Sequence, residues 1–196
     1  MVRKIKTKRK TTDTWKKKQW YTIKSPKEWE EKDIAETPAN DDKKIINRVV
    51  KVPLREITGN IKHQFVKIHF RVKEVKGLTA YTELDGFEMI REALKRNVRR
   101  HRSLIRTIQK IKTKDNKTIR ITAHCFTARK TETTKKDEIR KIMAEKLQAL
   151  SKETLDSLTR KCLFGQTASE IAKQAKKIAP IKRVEITKGK VIREKE

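Results

Sequence analysis

Between residues 65 and 73 the chain alternates with period two. Val66, Ile68, Phe70 and Val72 fall on one side, and Lys67, His69, Arg71 and Lys73 on the other. That pattern predicts a strand with one buried and one wet face. The β-branched run Ile45, Ile46, Val49, Val50, Val52 predicts another strand over 45–54, ended by the turn Thr58-Gly59-Asn60. Gly77 leads into a strand over 78–84 that Asp85-Gly86 closes. Residues 87–99 show helical spacing, with Met89, Ile90, Ala93, Leu94 and Val98 on the inner side. Alternation returns over 103–112, and a hairpin turn at Asp115-Asn116 leads into a strand over 118–127.

Beyond Lys130 the period becomes helical. Ile139, Ile142, Met143, Leu147 and Leu150 form one stripe of a helix over 137–150. Ser151 is positioned to cap a second helix carrying Leu155, Leu158 and Cys162, with Gly165 to stop it. Thr167-Ala168-Ser169-Glu170 matches a capping box for a third helix running to Ile178, before Pro180. Val184-Glu185-Ile186 reads as a short final strand, and 188–196 as a charged tail. The fold class expected is α+β: an antiparallel, barrel-like β core with one inserted helix, then C-terminal helices and a short last strand.

Charge divides the chain further. Nine of the first eighteen residues are Lys or Arg against one Asp, and nothing there can bury an apolar face. Residues 1–19 are therefore expected to be an extended basic arm. A β core over 20–130 and a helical C-terminal part over 131–196 follow it. Residues 28–42 reverse the sign, with seven carboxylates (Glu28, Glu30, Glu31, Asp33, Glu36, Asp41, Asp42) around Pro38 and Asn40. They read as an acidic loop that stays in solvent or meets a basic neighbour.

Over all 196 residues, 53 Lys and Arg oppose 25 Asp and Glu, a net charge of +28. Such an excess repels itself and calls for a polyanion: nucleic acid, or failing that a membrane surface. No run of about 18 apolar residues offers a membrane span, and no apolar segment follows the basic N-terminus as a secretory signal requires. A soluble, cytoplasmic protein is expected. Cys125 and Cys162 stand alone and read as small buried apolar residues. No dinucleotide or phosphate-loop glycine pattern occurs, and only five glycines are present. His63, His69, His101 and His124 lack metal-ligand spacing, and adjacent His124 and Cys125 on one strand point to opposite faces. No enzyme, cofactor, metal or small-molecule substrate is expected.

Two regions carry the expected RNA contacts. In the arm these are Arg3, Lys4, Lys6, Lys8, Arg9, Lys10, Lys16, Lys17 and Lys18, interleaved with Trp15. Cations supply phosphate contact and an aromatic ring supplies base stacking. Trp20 and Tyr21 either join this surface or pack on the core. The second region is Arg96, Arg99, Arg100, Arg102 and Arg106, five arginines in eleven residues. A helix C-terminus accounts for one or two of them; phosphates account for the rest. A free single-strand-binding protein is the rival reading. It calls for aromatics exposed on a strand face, for which Phe65 is the candidate.

An ordered series of segments also resembles one family. It comprises Trp15 to Pro26 (WKKKQWYTIKSP), Glu36-Thr37-Pro38-Ala39, Ile57-Thr58-Gly59, Lys76-Gly77 with Ala80-Tyr81-Thr82, Phe126-Thr127-Ala128-Arg129, Ile139-Arg140-Lys141-Ile142-Met143, and Ala168-Ser169-Glu170-Ile171 through Lys182-Arg183-Val184-Glu185-Ile186. In this order they resemble the three-a-e, or eukaryotic-type S-one, family of small-subunit ribosomal proteins, most loosely over 89–109. Without the long C-terminal extension of eukaryotic members, the chain looks archaeal. The resemblance implies a β-barrel core on the platform of the small subunit, near the messenger exit. Its implied partners are small-subunit ribosomal RNA and neighbouring ribosomal proteins, with messenger RNA close by.

Overall fold

The computed structural model describes residues 15–193. Eight strands form one mixed sheet: β1 (Gln19–Lys24), β2 (Asp33–Ala39), β3 (Val49–Pro53), β4 (Val66–Lys76), β5 (Thr79–Met89), β6 (Leu104–Lys112), β7 (Thr118–Thr127) and β8 (Ile181–Ile192). Five helices accompany them: α1 (Leu54–Thr58), α2 (Arg91–Lys95), α3 (Thr133–Ala149), α4 (Leu155–Leu163) and α5 (Gln166–Ala175). One path runs β2-β1-β5-β8-β7-β6, and β4 joins β3 to the other edge of β5. The sheet is α+β as expected, but it does not close into the anticipated barrel. Nor is it wholly antiparallel, because β1 lies parallel to β5 through Thr22↔Thr79 and Ile23↔Ala80.

The long strand β5 serves three neighbours. Its whole length pairs with β4, its first residues pair with β1, and residues 86–88 pair with β8. Two glycines permit the last junction. A Cβ on Gly86, whose φ is +152°, would lie 2.3 Å from the Gly189 carbonyl oxygen. A Cβ on Gly189 would lie 2.4 Å from the Phe87 ring. Gly86 is thus a crossing point inside a strand rather than its end. That overturns the helix expected over 87–99: Phe87, Glu88 and Met89 remain in β5, and α2 is a single turn or so. Val98, assigned to the buried face of that helix, is 48% exposed.

The charged tail is likewise corrected. Residues 188–192 complete β8, with Gly189 and Val191 turned inward and Lys188 and Lys190 outward. Acidic residues 33–39 are strand β2 rather than loop, paired with β1 from Gln19↔Ala39 to Lys24↔Asp33.

One face of the sheet is covered by helices. Ile105 and Ile111 of β6, Ile119, Ile121, Ala123 and Cys125 of β7, and Val184 and Ile186 of β8 share a core with Ile139, Met143 and Leu147 of α3. Leu155, Leu158 and Cys162 of α4 and Ile171 and Ala175 of α5 complete it. The α3 stripe recurs every fourth residue, as one helix face requires. A smaller cluster of Tyr21, Ile23, Ala39, Ile45, Val72 and Ala80 holds β1 and β2 to the rest.

Neither expected cap forms. Ser151 lies in a short 3-10 turn before α4, and Thr167 is buried inside α5 without a capping bond. Asp115 at the β6–β7 turn instead accepts from the Leu155 N–H at 2.8 Å. This satisfies one of the free amide donors at the start of α4 from forty residues away in the chain.

Candidate nucleic-acid interface

Strand pairing places the outward residues of six strands in rows. Residues directly opposite in an antiparallel pair share a face, with Cβ atoms about 4.5–5.5 Å apart. One row runs Lys110↔Arg120↔Lys190↔Gly86↔His69↔Lys51 across β6, β7, β8, β5, β4 and β3. The next runs Ile108↔Thr122↔Lys188↔Glu88↔Lys67. A third joins Arg106, His124 and Glu185, and a fourth Leu104, Phe126 and Arg183. Lys51, Arg106, Lys110, Arg120, Arg183, Lys188 and Lys190 are all exposed.

In these rows the described carboxylates are Glu88 and Glu185. Glu88 lies 3.7 Å from Lys51 and 3.6 Å from Lys188. Burial pushes its carboxyl up, but Lys51, His69 and Lys188 together hold it below the usual carboxylate range. Glu185 pairs with Arg183; burial outweighs the arginine and raises its carboxyl. Lys110, Arg120 and Lys190 remain side by side as like charges, an arrangement that destabilises a sheet unless an anion lies over it.

Both histidines of the face are depressed below the ordinary imidazole range. Burial lowers His69, whose Nε2 is shielded and has no hydrogen-bond partner among the described residues. Burial and then Arg106 lower His124. The Thr187 hydroxyl donates to the Thr122 carbonyl at 3.2 Å, so the Nδ1–H of His124 donates to Thr187 Oγ1 at 3.0 Å. Cys125 points the other way, into the core, as expected, and burial pushes its thiol up to about 12. Cys162 is also buried and raised to about 12.

The expected site residues are distributed unevenly. Arg3, Lys4, Lys6, Lys8, Arg9 and Lys10 lie outside the described residues. Lys16, Lys17 and Lys18 are exposed just before β1, and the Lys18 ammonium sits 4.1 Å from the centre of the Trp15 ring. Trp15 and Trp20 are 59% and 57% exposed, whereas Tyr21 is buried and donates to Asp42 at 2.7 Å. Tyr21 thus packs on the core, and Trp20 stays exposed.

Arg96, Arg99 and Arg100 are exposed in and after the last turn of α2, and Arg102 is half-buried before β6. Arg106 belongs to the sheet rows. Lys51, Lys110, Arg120, Lys188 and Lys190 escaped the sequence reading. They come from four separate strands, and only register brings them together.

The class is clear from this surface: a helix-backed sheet with an open cationic face and, among the described residues, no cluster of groups able to hold a metal. The chain matches the Ribosomal S3Ae family over residues 6–195 and belongs to it. Among curated relatives, small ribosomal subunit protein eS1 of Methanobrevibacter smithii is 36% identical over 96% of this chain and 98% of its own length. The eS1 proteins of Aeropyrum pernix and Methanocaldococcus jannaschii are 37% and 38% identical, covering 92% and 94% of this chain and 86% and 83% of their own. These archaeal relatives agree with the resemblance and with its archaeal character.

Proposed function

We propose that the chain is a structural, non-enzymatic constituent of the small ribosomal subunit. It acts in the cytoplasm and binds ribosomal RNA through the arm, the arginine cluster and the cationic sheet face. The observation that carries the sheet's part is the row Lys110, Arg120, Lys190, opposed across three strands. Phosphates supply the missing counter-charge, and each neutralised phosphate releases counterions. Contacts of this kind follow RNA shape and backbone rather than base sequence.

The arm residues Arg3, Lys4, Lys6, Lys8, Arg9, Lys10, Trp15, Lys16, Lys17 and Lys18 extend this surface along the RNA, and Arg96, Arg99, Arg100, Arg102 and Arg106 flank it. A place on the platform near the messenger exit, beside other ribosomal proteins and within reach of messenger RNA, follows from the family resemblance.

The test is a salt titration of small-subunit RNA binding by the wild type and by a variant combining Lys110→Gln, Arg120→Gln and Lys190→Gln. The variant's slope of log affinity against log salt should be shallower by about two to three, close to one for each lost phosphate contact. An unchanged slope would remove the sheet face from the interface.

A further inference from the structure

Beside the cationic rows lies a groove of about 250 Å³ between the segment before β4, helix α2 and the α4–α5 junction. That is below the roughly 300–1,000 Å³ of sites for drug-sized ligands, and it suits one planar ring system. Its lining includes three aromatic rings, those of His63, Phe65 and Phe164. Phe164, at the end of α4, is 49% exposed, and His63 meets it edge-to-face with ring centres 5.5 Å apart. Half-buried Phe65 also lines the groove and lies 5.4 Å beneath the Arg96 guanidinium.

Lys62, Arg96 and Arg183 bring cations to this groove against one carboxylate, Glu185, which Arg183 already pairs. Asn97 adds an amide able both to donate and to accept. We infer that this groove takes a single unpaired base of ribosomal RNA, stacked on Phe164 and Phe65, with its flanking phosphates on Arg96, Arg183 and Lys62.

The inference rests on the RNA-binding reading above and deepens it. An aromatic surface combined with cations suits a nucleotide, since the ring stacks while the phosphates neutralise charge. An apolar side chain from a neighbouring protein would fill the groove yet bring no counter-charge to Lys62 and Arg96. The sheet rows offer no alternative stacking place, since their one aromatic of this kind, Phe126, is buried. Arg99 and Arg100 follow the groove residue Asn97 in the chain and are exposed. Sheet and groove thus divide the work: the rows hold backbone, and the groove holds a base extruded from it.

The full-length chain can be tested against two RNAs of equal length at fixed salt, a single strand carrying one 2-aminopurine and the corresponding duplex. Wild type should quench the aminopurine fluorescence. Phe164→Leu and Phe65→Leu keep the apolar volume but remove the ring face. Each should weaken single-strand binding about five- to a hundredfold, the range for one stacked base, and leave duplex binding unchanged. Equal effects on both RNAs, or none on either, would overturn the groove while leaving RNA binding by the sheet intact. Failure of wild type to bind either RNA would overturn both.

A photoreactive phenylalanine analogue replacing Phe164 in assembled small subunits gives the second readout. A crosslink to RNA supports the groove as a base site, and a crosslink to protein alone overturns it.

Discussion

Gly189 shows how one residue can decide the course of the sheet. Its missing side chain lets the Phe87 ring lie against β8, where a Cβ would stand 2.4 Å from that ring. Gly189→Ala should therefore destabilise the fold by about 1–3 kcal/mol through overpacking. Combining it with Phe87→Leu should recover part of that loss in a double-mutant cycle of denaturant melts. Gly86→Ala should not be recoverable in this way, because the obstruction there is the Gly189 backbone carbonyl. Equal behaviour of the two glycines would contradict this account.

His124 makes a second prediction at the same scale. Burial depresses its folded-state pKa below the ordinary value of 6.5. Below about pH 6.5 the unfolded chain binds a proton that the folded chain resists, so stability present above that pH is lost as the pH falls. Relative to His124→Gln, the wild type should lose stability between pH 7.5 and 5.5. A pH-independent difference between the two would place the imidazole in an unperturbed environment.

At the scale of elements, the three C-terminal helices were legible from sequence, while α2, expected over 87–99, and parts of the sheet were not. Ile139, Met143, Leu147 and Leu150 identify the buried face of α3 because a helix repeats its face locally, every three or four residues. Strand β4 was legible for the analogous reason, with Ile68, Phe70 and Val72 buried as the alternation required. Strand β8 was legible only at Val184–Ile186; its second half was not, because Lys188, Gly189 and Lys190 give no apolar alternation. β2 was hidden by its carboxylates: an edge strand paired only with β1 keeps one side in water and tolerates them.

The cap on α4 was beyond reach as well, since Asp115 acts across forty residues where Ser151 and Thr154 do not. Asp115→Ala should cost about 0.5–2 kcal/mol, the range for loss of a helix cap, and Asp115→Asn, which retains an acceptor, should cost less. Matching losses in chemical denaturation would show that the acceptor oxygen plays no part.

For the whole molecule, composition announced a polyanion partner, but only part of the cationic surface was visible in it. The arm and the arginine cluster are contiguous in sequence, so they stood out. The cationic rows arise from β3, β4, β6, β7 and β8, whose lysines and arginines meet only after folding. The helices α3, α4 and α5 pack on the opposite side of the sheet and leave Lys110, Arg120 and Lys190 exposed. One side of the sheet thus carries the core and the other the cationic rows.

The central claim is that this surface belongs on the small subunit. Sedimentation of a cell extract through a density gradient at low and at moderate salt tests it most directly. The account predicts that the protein co-migrates with small subunits in about one copy each and stays there at moderate salt. Recovery mainly at the top of the gradient, free or on heterogeneous RNA, would contradict it and favour a free single-strand-binding protein.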